Sequence, residues 1–174
     1  YMLAAAALHP GAIMTIQGLG QHSLQGDVGF ADVLRRMGAL VETKSDSIVL
    51  TGPDALEGIE IDLRDMPDVA QTLAVVCLFA RGQSVLRGLH TLRHKETDRL
   101  AALSNELTKL GTGVHIEQDS LVIDPPNTLT PASIATYDDH RMAMSFALAG
   151  TSIPGLTIEN VECVSKTYPN YFSD

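Results

Sequence analysis

The 174-residue sequence is 45% hydrophobic and 19% charged, a balance that can bury a sizeable core and excludes intrinsic disorder. Its formal net charge of −9 argues against nucleic acid as a general partner. The longest apolar run, VAQTLAVVCLFA at 69–80, falls short of the roughly 20 residues a membrane-spanning helix needs, so no membrane partner is expected.

Residues 1–8 read as a helix closed by Pro10-Gly11, and AIMTIQGL at 12–19 as a strand entering a glycine turn. GDVGFADVLRRMGA at 26–39 predicts a helix with Asp27 near its cap and Gly38 at its end. VETKSDSIVLTGP at 41–53 predicts a hairpin turning at Lys44 to Asp46. IEIDLRDMPD at 59–68 is extended and leads into an apolar helix, DVAQTLAVVCLFARG, capped near Asp68. SVLRGL at 84–89 is then a strand, the KETDR stretch opens a helix ended by Gly111, and VHIEQDSLVIDPP forms a second hairpin.

The order repeats at the level of residues. MGALVETKSDSIVLTGP at 37–53 lines up with LGTGVHIEQDSLVIDPP at 110–126, and TIQGL at 15–19 with VLRGL at 85–89. A third copy begins at IATYDDHRMAMSFALAG and continues into LTIENV. The chain therefore reads as an α/β repeat domain built on a unit of about 70 residues. The expected copies span about 1–58, 59–130 and 131–174, the last cut short. The start at Tyr1, inside a helical sequence already under way, suggests a piece of a longer protein. Cys77 and Cys163 lie in apolar surroundings without metal or redox spacing and are expected as buried thiols of a reducing compartment.

Five of the twelve Lys and Arg residues, Arg81, Arg87, Arg93, Lys95 and Arg99, fall within 19 positions, which suggests a small anionic ligand. Lys95 and Arg99 are four apart and would share one face of a helix. Two cations near a helix N-terminus oppose the macrodipole unless an anion lies between them. From the residues alone two readings stay open, an anion site and a solvated helix start with local ion pairs.

LRHKETDR at 92–99, DMPDVAQTLA at 65–74, YDDHRMAMSFAL at 137–148 and SKTYPNYF at 165–172 together resemble the 5-enolpyruvylshikimate-3-phosphate synthase family, in its order and spacing across its C-terminal part. The resemblance implies a transferase that moves the carboxyvinyl group of phosphoenolpyruvate onto the 5-hydroxyl of shikimate 3-phosphate and releases phosphate. It implies one domain of an inside-out α/β barrel, with three βαβαββ units per domain and substrates bound in the cleft against an N-terminal domain that is absent here. It further implies a cytoplasmic monomer when full-length, no cofactor, and inhibition by glyphosate.

By the same resemblance, Asp68 matches the family's substrate-binding aspartate and proton acceptor, and Glu96 the carboxylate that protonates phosphoenolpyruvate. Lys95 matches the lysine near shikimate 3-phosphate. Arg99, Arg141 and Lys166 match the cations that hold phosphoenolpyruvate, with Asp139 and His140 in support. Thr91 stands where some relatives carry an asparagine that touches shikimate 3-phosphate. Read without the resemblance, Asp68 is an ordinary helix cap, Asp98 a cap or an arginine partner, Asp138 a cap, His140 structural, and Lys166, Arg87 and Arg93 solvated. No metal is implied, because the histidines lack ligand spacing. Two further readings remain: the UDP-N-acetylglucosamine enolpyruvyl transferase, which looks unlike this chain at K-E-x-D-R, and a non-catalytic anion-binding domain of the same fold.

Overall fold

The structure, a computed structural model, describes residues 1–174. Alanine-rich α1 (Met2–Ala7) buries Leu3, Ala4, Ala6 and Ala7 and ends ahead of Pro10-Gly11. After β1 (Ile13–Gln17), a short 3-10 helix at Gly26–Gly29 leads into α2 (Phe30–Arg36). The hairpin β2 (Leu40–Thr43) and β3 (Ser47–Thr51) turns at 44–46, as its sequence predicts. Antiparallel pairing sets the strand order β1-β3-β2, with Gln17 opposite Ser47.

Next come the two-residue strand β4 (Leu56–Glu57) and β5 (Glu60–Asp62). The apolar run then gives a 3-10 turn at Pro67–Val69 and α3 (Ala70–Cys77), shorter than the sequence suggests. Its last residues instead enter β6 (Ala80–Arg81), which pairs parallel with β4. Strand β7 (Ser84–Arg87) runs parallel to β5, so α3 is the crossover helix between them. A 3-10 helix at His90–His94 precedes α4 (Arg99–Lys109), and the hairpin β8 (Gly113–Glu117) and β9 (Ser120–Asp124) completes a sheet ordered β5-β7-β9-β8. Gly18 and Gly88, at matching positions after β1 and β7, have φ of 79° and 73°. Both chain reversals therefore use the left-handed region that glycine enters freely.

A third crossover follows. β10 (Ser133–Ile134) and β11 (Thr157–Ile158) pair in parallel around α5 (His140–Gly150). The chain closes with a 3-10 helix at Val161–Lys166 that packs on α5. Tyr171 is pinned there, its hydroxyl donating to the Met144 carbonyl at 2.8 Å.

One cluster of 42 buried apolar residues forms the main core. All eight residues of α3 are buried, and it packs against α1, α4 and α5. A helix buried all round needs apolar residues on every face, which is how AQTLAVVC reads. Its two polar residues are spent on contacts to the α5 region: Thr72 meets Ser145 at 3.1 Å, and Gln71 donates to Asp139. Cys77 is buried and Cys163 half-buried, and both are free.

Candidate active site

The starts of α3, α4 and α5 meet at Arg99, the first residue of α4. Its side chain is 1% exposed, yet three carboxylates surround it. Nε donates to Asp139 Oδ2 at 2.6 Å, and Nη2 donates to Asp139 Oδ1 at 3.2 Å and to Glu96 Oε2 at 2.7 Å. Nη1 reaches Asp68 Oδ1 at 3.3 Å. A buried guanidinium is tolerated only with partners of this kind, and the fork of Arg fits a carboxylate with two parallel bonds. Asp139 is itself fully buried and also accepts from the Arg141 backbone N–H at 2.8 Å, so it caps α5 while it holds Arg99.

Lys95 and Arg99 do not share a helix face. Lys95 lies ahead of α4 in extended backbone, φ −96° and ψ −150°, because the helix starts only after Asp98. The two cations come together through Asp68 instead. Its Oδ1 is 3.3 Å from both Lys95 Nζ and Arg99 Nη1, and its Oδ2 is 3.0 Å from Arg141 Nη2. The Arg141 Nη1 also donates to the Asp68 backbone carbonyl at 3.3 Å. Asp68 therefore does not act as a helix cap: the positions that cap Pro67–Val69 and α3 are Met66 and Val69, with no side-chain cap bond at either.

Glu96 joins the cluster to the C-terminal segment, its Oε1 accepting from Lys166 Nζ at 2.9 Å. That hydrogen bond, with the Arg99 charge behind it and against the opposing effect of burial, pulls the Glu96 carboxyl down to about 2. Burial is the chief influence on His140 and lowers its pKa, which favours the neutral ring. Its Nδ1 is buried without a hydrogen-bond partner, 3.9 Å from Asp139 Oδ1.

All eight residues singled out from the sequence, Asp68, Lys95, Glu96, Arg99, Asp139, His140, Arg141 and Lys166, thus gather in one place. Three carboxylates face four cations, leaving one net positive charge with His140 neutral. The exposed Lys166 and the partly exposed Lys95 and Arg141 can turn from carboxylate to an incoming anion, whereas Arg99 is fixed by buried Asp139. Beside Asp68 and Arg141 opens a mainly apolar cavity of about 270 Å³, lined also by Leu3, Ile16, Val28 and Phe30. No group of three or more His, Cys, Asp or Glu side chains is placed to hold a metal ion.

The secondary assignments divide. Asp98 is both the cap of α4, accepting from the Ala101 N–H at 3.0 Å, and the partner of Arg93 at 3.3 Å. Asp138 is not the cap of α5; Asp139 is, and Asp138 accepts from Asn160 at the surface. Arg87 pairs with Glu60 at 2.8 Å, exposed as expected. The Thr91 hydroxyl is buried without a partner. Gln71, buried and donating to Asp139 at 3.4 Å, belongs to the supporting layer and was not singled out. Its signal was a lone amide within an otherwise apolar helix.

This geometry has close parallels. Among solved structures, the EPSP synthase of Acinetobacter baumannii superposes with a TM-score of 0.87 at 27% identity, covering 98% of this chain and 42% of that one. The enolpyruvyl transferase NikO from Streptomyces tendae superposes with a TM-score of 0.74 at 21% identity, again over 98% of this chain. The fold is therefore an enolpyruvyl-transferase-like α/β fold. The family model for EPSP synthase (3-phosphoshikimate 1-carboxyvinyltransferase) matches residues 1–174, and the chain belongs to that family. Curated relatives named 3-phosphoshikimate 1-carboxyvinyltransferase include those of Edwardsiella ictaluri, 49% identical over 172 residues, and Vibrio cholerae, 45% identical over 172 residues. The chain spans 40% of the length of these relatives.

Proposed function

We propose that the chain forms part of a 3-phosphoshikimate 1-carboxyvinyltransferase and supplies about half of its active site. The intact protein would transfer the carboxyvinyl group of phosphoenolpyruvate to the 5-hydroxyl of shikimate 3-phosphate and release phosphate. A preceding domain, of the kind its longer relatives have room for, would supply the rest. The convergence of Asp68, Glu96 and Asp139 with Lys95, Arg99, Arg141 and Lys166 carries this reading. The architecture is proposed as three βαβαββ units over about 1–58, 59–130 and 131–174, the last cut short. The shared strand orders β1-β3-β2 and β7-β9-β8 support it.

The chemical roles are those that the family resemblance gives these residues. Asp68 takes the proton of the attacking 5-hydroxyl, and Glu96 gives one to the methylene carbon, so that a C–O bond forms at the neighbouring carbon. Glu96, now ionised, takes a proton back from the new methyl group while phosphate leaves with the proton held on Asp68, which restores the double bond and both carboxylates. Lys95 faces shikimate 3-phosphate, while Arg99, Arg141 and Lys166 hold phosphoenolpyruvate, with Asp139 and His140 behind them. Glu96 can donate only when protonated, yet Lys166 and Arg99 keep it ionised without ligand. An anionic substrate that draws the exposed Lys166 away removes the hydrogen bond that does most to keep Glu96 charged. Binding and activation of the acid are thereby one event.

The test is phosphate release by the intact protein given both substrates. Release that depends on both is expected, and no release with both present would sink the reading.

A further inference from the structure

Helix α4 carries a second buried carboxylate away from the charged cluster. Glu106, about two turns beyond Arg99, has a fully buried side chain and makes no hydrogen bond or ion pair with any of the eight residues gathered around Arg99. Its Oε2 accepts from Lys109 Nζ at 2.7 Å and from the Ala135 backbone N–H at 3.0 Å, and its Oε1 accepts from the Tyr137 hydroxyl at 2.8 Å. A buried carboxylate needs partners of this kind. Two of these three belong to a single turn, the one that enters α5.

That turn is unusual. Tyr137 and Asp138 are consecutive non-glycine residues with φ of 56° and 55°, a left-handed conformation that persists only where the surroundings impose it. The next residue is Asp139, whose carboxylate holds Arg99, and Arg141 follows two positions later. The direction in which α5 starts, and so the place where both side chains point, depends on the turn keeping this shape.

We infer that Glu106 is a positioning residue: by gripping Ala135 and Tyr137 it holds the left-handed pair in place and sets where Asp139 and Arg141 meet Arg99 and Asp68. Lys109 extends the grip to β10 through the Ser133 carbonyl at 3.3 Å. The choice of substrate that senses the loss rests on the proposed function; the grip on the turn does not.

The experiment compares the intact protein with Glu106→Gln, which cannot accept the Ala135 N–H and the Tyr137 hydroxyl as a charged group, and Tyr137→Phe, which removes one bond at a partly exposed ring. Thr108→Ala, on the exposed face of the same helix, is the control. Amide hydrogen exchange over 135–141 should quicken about tenfold in Glu106→Gln, less in Tyr137→Phe and not in the control. The KM for phosphoenolpyruvate should rise about tenfold in Glu106→Gln and about threefold in Tyr137→Phe, while that for shikimate 3-phosphate stays within about twofold. Exchange in both variants no faster than in the control would overturn the inference, and so would a parallel rise of both KM values. If the unmodified protein turns over neither substrate, the proposed function falls, and the exchange measurement still decides the role of Glu106.

Discussion

Helices α2 and α4 occupy matching places, each between a strand and a hairpin whose second strand returns beside it. Their starts differ completely. α2 opens from Gly26–Gly29 without a side-chain cap, and its charges stay at the surface: Asp32 pairs with Arg35, and Arg36 donates to the Glu60 carbonyl at 2.9 Å. α4 opens on the Asp98 cap, with Arg99 driven inward among three carboxylates. One scaffold thus supports a solvated helix start and a buried charge cluster. The fold supplies the place, and a few side chains at one helix start supply the chemistry.

The contrast is sharpest in stability. Removing one partner of a buried ion pair leaves the other stranded, so Asp139→Ala should cost about 3–5 kcal/mol in denaturant unfolding. The matching loss at α2, Asp32→Ala, should stay within about 0.5 kcal/mol. Equal costs would erase the distinction. Next in size is Arg99→Lys, which keeps the charge but loses the planar fork. Under the proposed function it should raise the KM for phosphoenolpyruvate about 10–100-fold and that for shikimate 3-phosphate far less, by steady-state kinetics. A parallel rise would mean that Arg99 serves the whole site and no one substrate.

A pH measurement separates Glu96 from any surface carboxylate. Its pKa of about 2 lies below the ordinary 4.5, so its pairing adds stability that is present above about pH 4.5 and fades as pH falls toward 2. In Lys166→Met the carboxyl titration, followed by carbon NMR, should move up toward 4.5, and the acid loss of stability in that window should shrink. An unmoved titration would assign the depression to Arg99 alone. The smallest effect belongs to Asp138→Ala, which removes a surface contact to Asn160 and should change stability by less than about 0.5 kcal/mol.

Much of the scaffold was legible because its signals are local. The hairpins follow from strand patterns around short polar turns, and Asp98 reads as a cap from the apolar run that follows it. Four kinds of feature were not. β4, β6, β10 and β11 have two residues each and carry no periodicity. Lys95 and Arg99 are spaced as helical neighbours, yet the chain bends between them, and spacing says nothing where the helix has not begun. The cap of α5 falls on the second of two adjacent aspartates, a choice made by the left-handed turn at Tyr137 and Asp138. Asp68 looked like a cap because the acid that begins a helix usually is one; three cations from elsewhere in the chain claim it instead. The residues of the site came from the family's motifs, while their long-range pairing across 27 to 73 positions came only from the fold.

The aromatic residues near the C-terminus have an optical consequence. The sequence has no tryptophan and four tyrosines. Tyr1 and Tyr168 both meet Tyr171 edge-on, with ring centroids 5.7 Å apart. Tyr168 follows Lys166 by two positions, Tyr1 lines the same cavity as Arg141, and Tyr137 forms the turn before Asp139. The four tyrosines therefore lie on segments that adjoin those carrying the charged cluster. Ligand-dependent movement there should alter the chain's tyrosine emission without any label, and no tryptophan is present to mask it.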